Sequence, residues 1–282
     1  MSNVQFQLAM HLVNLGRHEE ALRKLGESFD PEDAWQWWLR GVALLNLERA
    51  DEAQEAAEHG LGIDPEDPSL LALLARCRVT LGDLVEAEQA VLAALRADAE
   101  DPDNLALYAR IVAEAGQLEK ARKLIERARR LDPENENVVR MQSVLAIARG
   151  DERQALLHSR ELLEINPENV YAHRIAGSVL HDRGDVDAAA GHLRTAVIAN
   201  PAEHEIAEVA RQNLVWRNPF MWPLRPIQRF GGAPLWIAAI ALMYSARLVS
   251  RELSLGIGIF WLVYCVYSWV TPPLVRRWLR RR

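Results

Sequence analysis

Two cysteines in 282 residues, Cys77 and Cys265, are too few and too far apart for a disulfide scaffold or a cysteine-rich zinc module. The eight histidines include no pair at HExxH spacing and none beside a cysteine, so neither a metal site nor a metal cofactor is expected. No nucleophile elbow, Walker loop, GxGxxG or paired-carboxylate motif occurs in a recognisable setting, and a non-enzyme without cofactor is the expectation. Acidic charge is nearly missing from the end of the chain. Residues 217–282 hold ten Arg, no Lys and one acid, Glu252, a net +9; with −6 for the whole chain, residues 1–216 hold −15. A body so acidic repels phosphate, which excludes nucleic acid as an expected partner. Six of the nine Trp also lie beyond Leu214, so the chain has two unlike parts. The opening stretch, Met1 to Glu20, is amphipathic, with no basic leader or uninterrupted apolar core, and the acidic part is expected in the cytosol.

What fills the acidic part is a repeat. Ala53, Ala87, Ala121, Ala155 and Ala189 recur every 34 residues, as do Gly82, Gly116, Gly150 and Gly184. Pro65, Pro133, Pro167 and Pro201 follow the same ruler, with Ala99 in the missing slot. A series of small residues runs in phase: Ala9, Gly41, Ala75, Ala109, Ser143 and Gly177. Each unit reads as helix, turn, helix. In residues 102–114, Leu105, Tyr108, Ala109 and Val112 recur at three and four, one buried helical stripe. Gly116 ends that helix, 118–130 forms the next, and Asp132-Pro133 stops it. The small residues fall where two helices approach closely.

These series resemble the tetratricopeptide-repeat (TPR) family, whose 34-residue units carry small, Gly, Ala and Pro residues at those places. Units fall at 2–33, 34–67, 68–101, 102–135, 136–169 and 170–203, with 204–214 as a capping helix. Unit two departs at Glu48, which stands where the turn Gly belongs, and Gly60 and Leu162 replace a small Ala. The resemblance implies an all-α solenoid over 1–214, whose first helices line a concave groove. Carried onto this chain, the family's groove positions are Trp35, Trp38 and Val42, Arg76 and Arg110, Arg140 and Arg174, with Tyr171 and His181 beside them. Trp37 falls at the large core position, as does His173, while the other histidines read as surface residues. Four arginines in an acidic domain suit an acidic or C-terminal peptide segment, since guanidinium holds carboxylate bidentately. Trp35 and Trp38 would be its apolar anchors. The plainer alternative is that Arg76 or Arg140 pairs with neighbouring acids such as Glu114 or Asp103.

The tail reads as a membrane element. A Pro- and aromatic-rich connector, 215–229, ends at Arg229; residues 230–246 and 253–275 are uncharged. A spanning helix needs about 20 apolar residues, so spans are expected at about 230–248, extended by a snorkelling Arg247, and 253–275. Arg229, Arg247, Arg276, Arg277 and Arg280 flank these spans, and lipid is an expected partner. The arginine distribution puts both termini and the TPR domain on the cytoplasmic side, as a multi-pass protein of a bacterial inner membrane. The alternatives are a buried globular hairpin or a dimer interface, and a first segment lying in the membrane plane with only one span. The whole chain resembles bacterial membrane-anchored TPR proteins. The expected function is an adaptor that captures protein segments at the membrane face; the rival is a subunit or assembly factor of a membrane or envelope complex acting through its hairpin. For that rival, Ser254, Gly256 and Gly258 would permit close contact with another helix.

Overall fold

The computed structural model describes residues 2–201 and 203–279, without the side chains of 2, 3 and 228–230. Arg280 and the Arg229 side chain, both expected to flank the membrane, lie outside the described residues. Among those described, all regular structure is helical. Packing divides the chain into two compact units, Met1–Arg149 and Gly150–Arg282.

The first unit holds α1 (Ser2–Asn14) to α9: α2 (His18–Gly26), α3 (Ala34–Asn46), α4 (Ala50–Ile63), α5 (Pro68–Leu81), α6 (Leu84–Ala97), α7 (Pro102–Glu114), α8 (Leu118–Leu131) and α9 (Glu136–Ala148). Odd-numbered helices pack against their even-numbered successors, and α1, α3, α5, α7 and α9 touch in turn to make a wall of first helices. Local chemistry explains the starts. The side chains of Asp67, Asp101 and Asn135 each accept the backbone N–H three residues on, filling a donor the helix leaves open. The stops are equally local. Gly116 takes φ +79, its N–H reaches the Ala113 carbonyl, and the Gln117 N–H reaches Val112. The repeated alanines pack helix on helix: Ala53, Ala87 and Ala121 have no exposed surface. At Gly41 a Cβ would stand 2.6 Å from Leu73 Cδ2 and 3.2 Å from the Ala53 carbonyl oxygen, so only hydrogen fits without a shift.

The second unit continues the pattern with α10 (Glu152–Ile165), α11 (Val170–Asp182), α12 (Val186–Ala199) and the capping helix α13 (His204–Arg217). The Pro-rich connector is a 3-10 turn, Pro219–Leu224, followed by α14 (Arg225–Phe230). Two apolar helices end the chain: α15 (Gly232–Val249) and α16 (Arg251–Leu279). They pack as a hairpin. Both are long and apolar enough to cross a membrane, and almost none of their apolar stretch is buried within the chain.

Candidate functional site

In the first unit, the wall of first helices carries Trp35 and Trp38 on α3, Arg76 on α5, Arg110 on α7 and Arg140 on α9. The alternation of small and large residues places them there: Ala75 and Ala109 turn inward with no exposed surface, so the next residues, Arg76 and Arg110, turn out. The Trp35 and Trp38 rings meet edge to face, centroids 5.4 Å apart. Trp35 is half exposed (51%), while Trp38 also packs against the core of Ala9, Leu25 and Leu39. Trp37, expected as core, is half-buried and packs against the core that holds Leu44 and Ala53; its Nε1 donates to the Pro31 carbonyl at 2.9 Å and its ring stacks on His59.

The arginines differ in their partners. Arg110 bonds Glu114 one turn on, at 2.8 Å. Arg140 donates to Asn137 Oδ1 at 2.8 Å, and Asn137 in turn donates to Asp103 Oδ1 at 2.8 Å. The Arg76 guanidinium has no ion-pair or hydrogen-bond partner among the described residues. Its side chain reaches solvent, yet protein crowds its head group. Burial is the first cause pulling its pKa below the normal arginine value, and the like charge of Arg140 comes next; Cys77 then opposes the shift, Arg110 adds to it less strongly, and Asp103 opposes it least. An arginine stays charged at any working pH. The lowered pKa therefore marks a cation held in an unfavourable field, which an anion brought to this wall would relieve.

In the second unit, Tyr171 and Arg174 sit on α11 with the guanidinium 5.1 Å from the tyrosine ring centroid. Arg174 is bound to Glu203 at 3.0 Å, just before α13. His181, expected beside the groove, is buried instead, because α13 covers it and Asn213 lies 3.3 Å from its Nδ1. Conversely His173, expected as core, is half-buried. Its Nε2 faces the Pro167 carbonyl at 3.0 Å, an acceptor, so Nε2 carries the proton. Its Nδ1 then accepts from His192 Nδ1 at 2.9 Å. Among the described residues no three His, Cys, Asp or Glu side chains form a group able to hold a metal ion.

Arg247, Arg276 and Arg277 are exposed on the two apolar helices. Ser254 and Gly258 serve the hairpin's own contact: Ser254 Oγ donates to the Met243 carbonyl at 3.1 Å, and a Cβ on Gly258 would stand 3.7 Å from Met243 Sδ. Sequence reasoning missed how the connector is held. Asp187 on α12 accepts from Arg217 at 3.3 Å and from Arg225 at 3.0 Å, and the hydroxyls of Tyr264 and Tyr267 donate to the carbonyls of Pro223 and Phe220.

One tetratricopeptide-repeat model matches residues 44–111 and 82–145, and a second tetratricopeptide-repeat model matches 140–204. No curated protein matches the sequence. Among solved structures, TTC0263, a thermophilic TPR protein of Thermus thermophilus, superposes with TM-score 0.57 at 18% identity, over 65% of this chain and 100% of that one. PilW, described as a widely conserved type IV pilus biogenesis factor, gives 0.55 at 19% identity over 74% and 97%. PilF of Pseudomonas aeruginosa gives 0.52 at 17% identity over 75% and 97%. Likeness at such identities speaks for the fold alone.

Proposed function

The chain belongs to the tetratricopeptide-repeat family, a scaffold for protein interaction, and from that premise we propose that its wall of first helices captures an acidic protein segment while its C-terminal hairpin keeps it in a membrane. The observation that carries the capture is Arg76: a guanidinium without an ion-pair or hydrogen-bond partner among the described residues, crowded by protein and within the field of two more arginine charges, in a part of the chain that is acidic overall. Fixed positive charge of this kind favours carboxylates and disfavours the other sign, giving selectivity as much as affinity. Trp35, with its edge-to-face neighbour Trp38, offers an apolar anchor for the same segment. Arg110, bonded to Glu114, contributes to the field and is less available as a direct ligand. Tyr171 and Arg174 belong to the second unit, and Arg174 is engaged by Glu203, so the reading rests on the first unit.

Anchoring rests on α15 and α16, whose apolar side chains are left uncovered by the rest of the chain. The excess of arginine before α15 and after α16, against two arginines and Glu252 at the turn, supports repeats and C-terminus on the cytoplasmic side of a bacterial inner membrane. Holding a captured segment at a surface raises its local concentration, so modest groove affinity suffices. The test is crosslinking in native membranes, comparing the full chain with an Arg76→Gln, Arg110→Gln, Arg140→Gln variant. Loss of captured chains is the expected outcome; an unchanged set removes the wall from the mechanism.

A further inference from the structure

The connector between the repeats and the hairpin has two unlike sides. Met221 and Leu224 point inward with 0% and 1% exposure, into a cluster with Val215 and Val275. Phe220 and Trp222 point outward with 68% and 70% exposure. This outward pair is not a frayed loop. The Phe220 N–H is capped by Asn218 Oδ1 at 3.1 Å, and the Tyr267 and Tyr264 hydroxyls hold the Phe220 and Pro223 carbonyls. The backbone that carries these two large aromatic rings is therefore held in place, with the rings turned to the surroundings.

Their level along the hairpin follows from its register. Met243 meets Ser254 and Gly258, and the Trp236 and Trp261 rings lie 5.4 Å apart. Carried to the start of α15, this register sets Gly232 level with the stretch around Tyr264 and Tyr267, the residues that grip the connector. The 18 residues of α15 measure about 27 Å, close to a hydrocarbon core of about 30 Å. The 29 residues of α16 measure about 43 Å and overshoot α15 by about 16 Å. That overshoot is where Thr271 and Val275 become buried, Val275 against the connector and capping helix. One side of the overshoot is thus packed on protein, while Trp269, Val270 and Leu274 stay exposed.

We propose that the Phe220–Trp222 face is a lipid-contact surface, seated in the headgroup–acyl boundary of the leaflet through which the chain enters, at the level of Tyr264 and Tyr267. The inference rests on the hairpin spanning a membrane and adds where the boundary falls. Aromatic rings of this kind gather at that boundary because one part of the zone is apolar and the other wet. Trp269, 84% exposed, stands at the same level on α16, and the exposed Arg276 and Arg277 follow on the aqueous side, suited to anionic headgroups. The occupant is lipid because the patch continues the uncovered apolar surface of the hairpin without a break in level. With Asp187 clamping Arg217 and Arg225, the connector then ties α12 and α13 to the bilayer surface.

The experiment uses the full chain with Cys77→Ala and Cys265→Ala, and single cysteines at Phe220, Trp222, Ile259 or Val85, each carrying an environment-sensitive nitrobenzoxadiazole label. The proteins are reconstituted into phosphatidylcholine–phosphatidylglycerol vesicles containing lipids spin-labelled either at the headgroup or deep in the acyl chain. Labels at 220 and 222 are expected to be blue-shifted and quenched most by the headgroup probe, 259 most by the deep probe, and 85 by neither. Labels at 220 and 222 behaving like 85, with 259 still deep, overturn this inference and leave the membrane reading standing. Labels at 220 and 222 quenched like 259 also overturn it, by moving the boundary. An aqueous label at 259 defeats both.

Discussion

Glu48 shows the repeat's rule by breaking it. It is the one non-glycine residue with positive φ (+62) among those described, and it occupies the slot held elsewhere by Gly16, Gly82, Gly116, Gly150 and Gly184. The hydrogen bonds are those of the glycine stops: Glu48 N–H to Leu45, Arg49 N–H to Leu44. An L-residue in the left-handed region costs about 1–2 kcal/mol, part of which glycine returns through its freer unfolded chain. Glu48→Gly is therefore expected to stabilise the protein by roughly 0.5–1 kcal/mol. A higher midpoint in thermal unfolding checks it; a lower one contradicts the account of this turn. The same scale shows what could be read beforehand. The left-handed glycines were visible as a 34-residue series, but the 32-residue offset of the first unit hid Gly16. The partners of the arginines were not visible, since nothing in the spacing tells Arg110, one turn from Glu114, from Arg76, which forms no ion pair among the described residues.

At the scale of elements, helix pairs were legible because each is made by local chemistry: a cap, an apolar stripe, a glycine, a proline. A further local signal stands beside these. Asp33, Asp67, Asp101, Asn135 and Asn169 recur every 34 residues and cap the first helix of each unit. Contacts between distant elements were not legible. Asp187 meets Arg225 from 38 residues away, Tyr264 meets Pro223 from 41, and neither pair lies on the repeat. His181 misled for the same reason, because the helix that buries it lies outside its own unit. The α11–α12–α13 packing carries a pH dependence. Burial holds His181 below the ordinary histidine range, against a small opposing effect of Asp182; burial, then the His173 and Arg160 charges, do the same to His192. Both are favoured neutral in the native state, so the unfolded chain binds more protons as pH falls below about 6.5. Their stabilisation is complete above that value and fades beneath it. The thermal midpoint of the detergent-solubilised protein is expected to fall between pH 7.5 and 5.5, and to fall less in His181→Gln. An equal fall in the variant contradicts the assignment.

For the whole molecule, the division of charge and the division of labour coincide: an acidic array of helix pairs made for protein contact, and a basic, aromatic, apolar end left uncovered by its own chain. The 34-residue period made the first part readable, and the two uncharged stretches the second; the reach of α16 past α15 into the packing around Val275 was not, because Pro272 and Pro273 in the sequence argue for a stop there while the helix runs on through them. Capture at a membrane face and the lipid-contact connector both depend on the second part being held in a bilayer. The most direct measurement is extraction of membranes carrying the full chain with alkaline carbonate, beside a chain ending at Arg217. The full chain stays with the sedimented membrane and the shortened one is released, if the hairpin is the anchor. A full chain that moves to the supernatant and remains dispersed without detergent contradicts it.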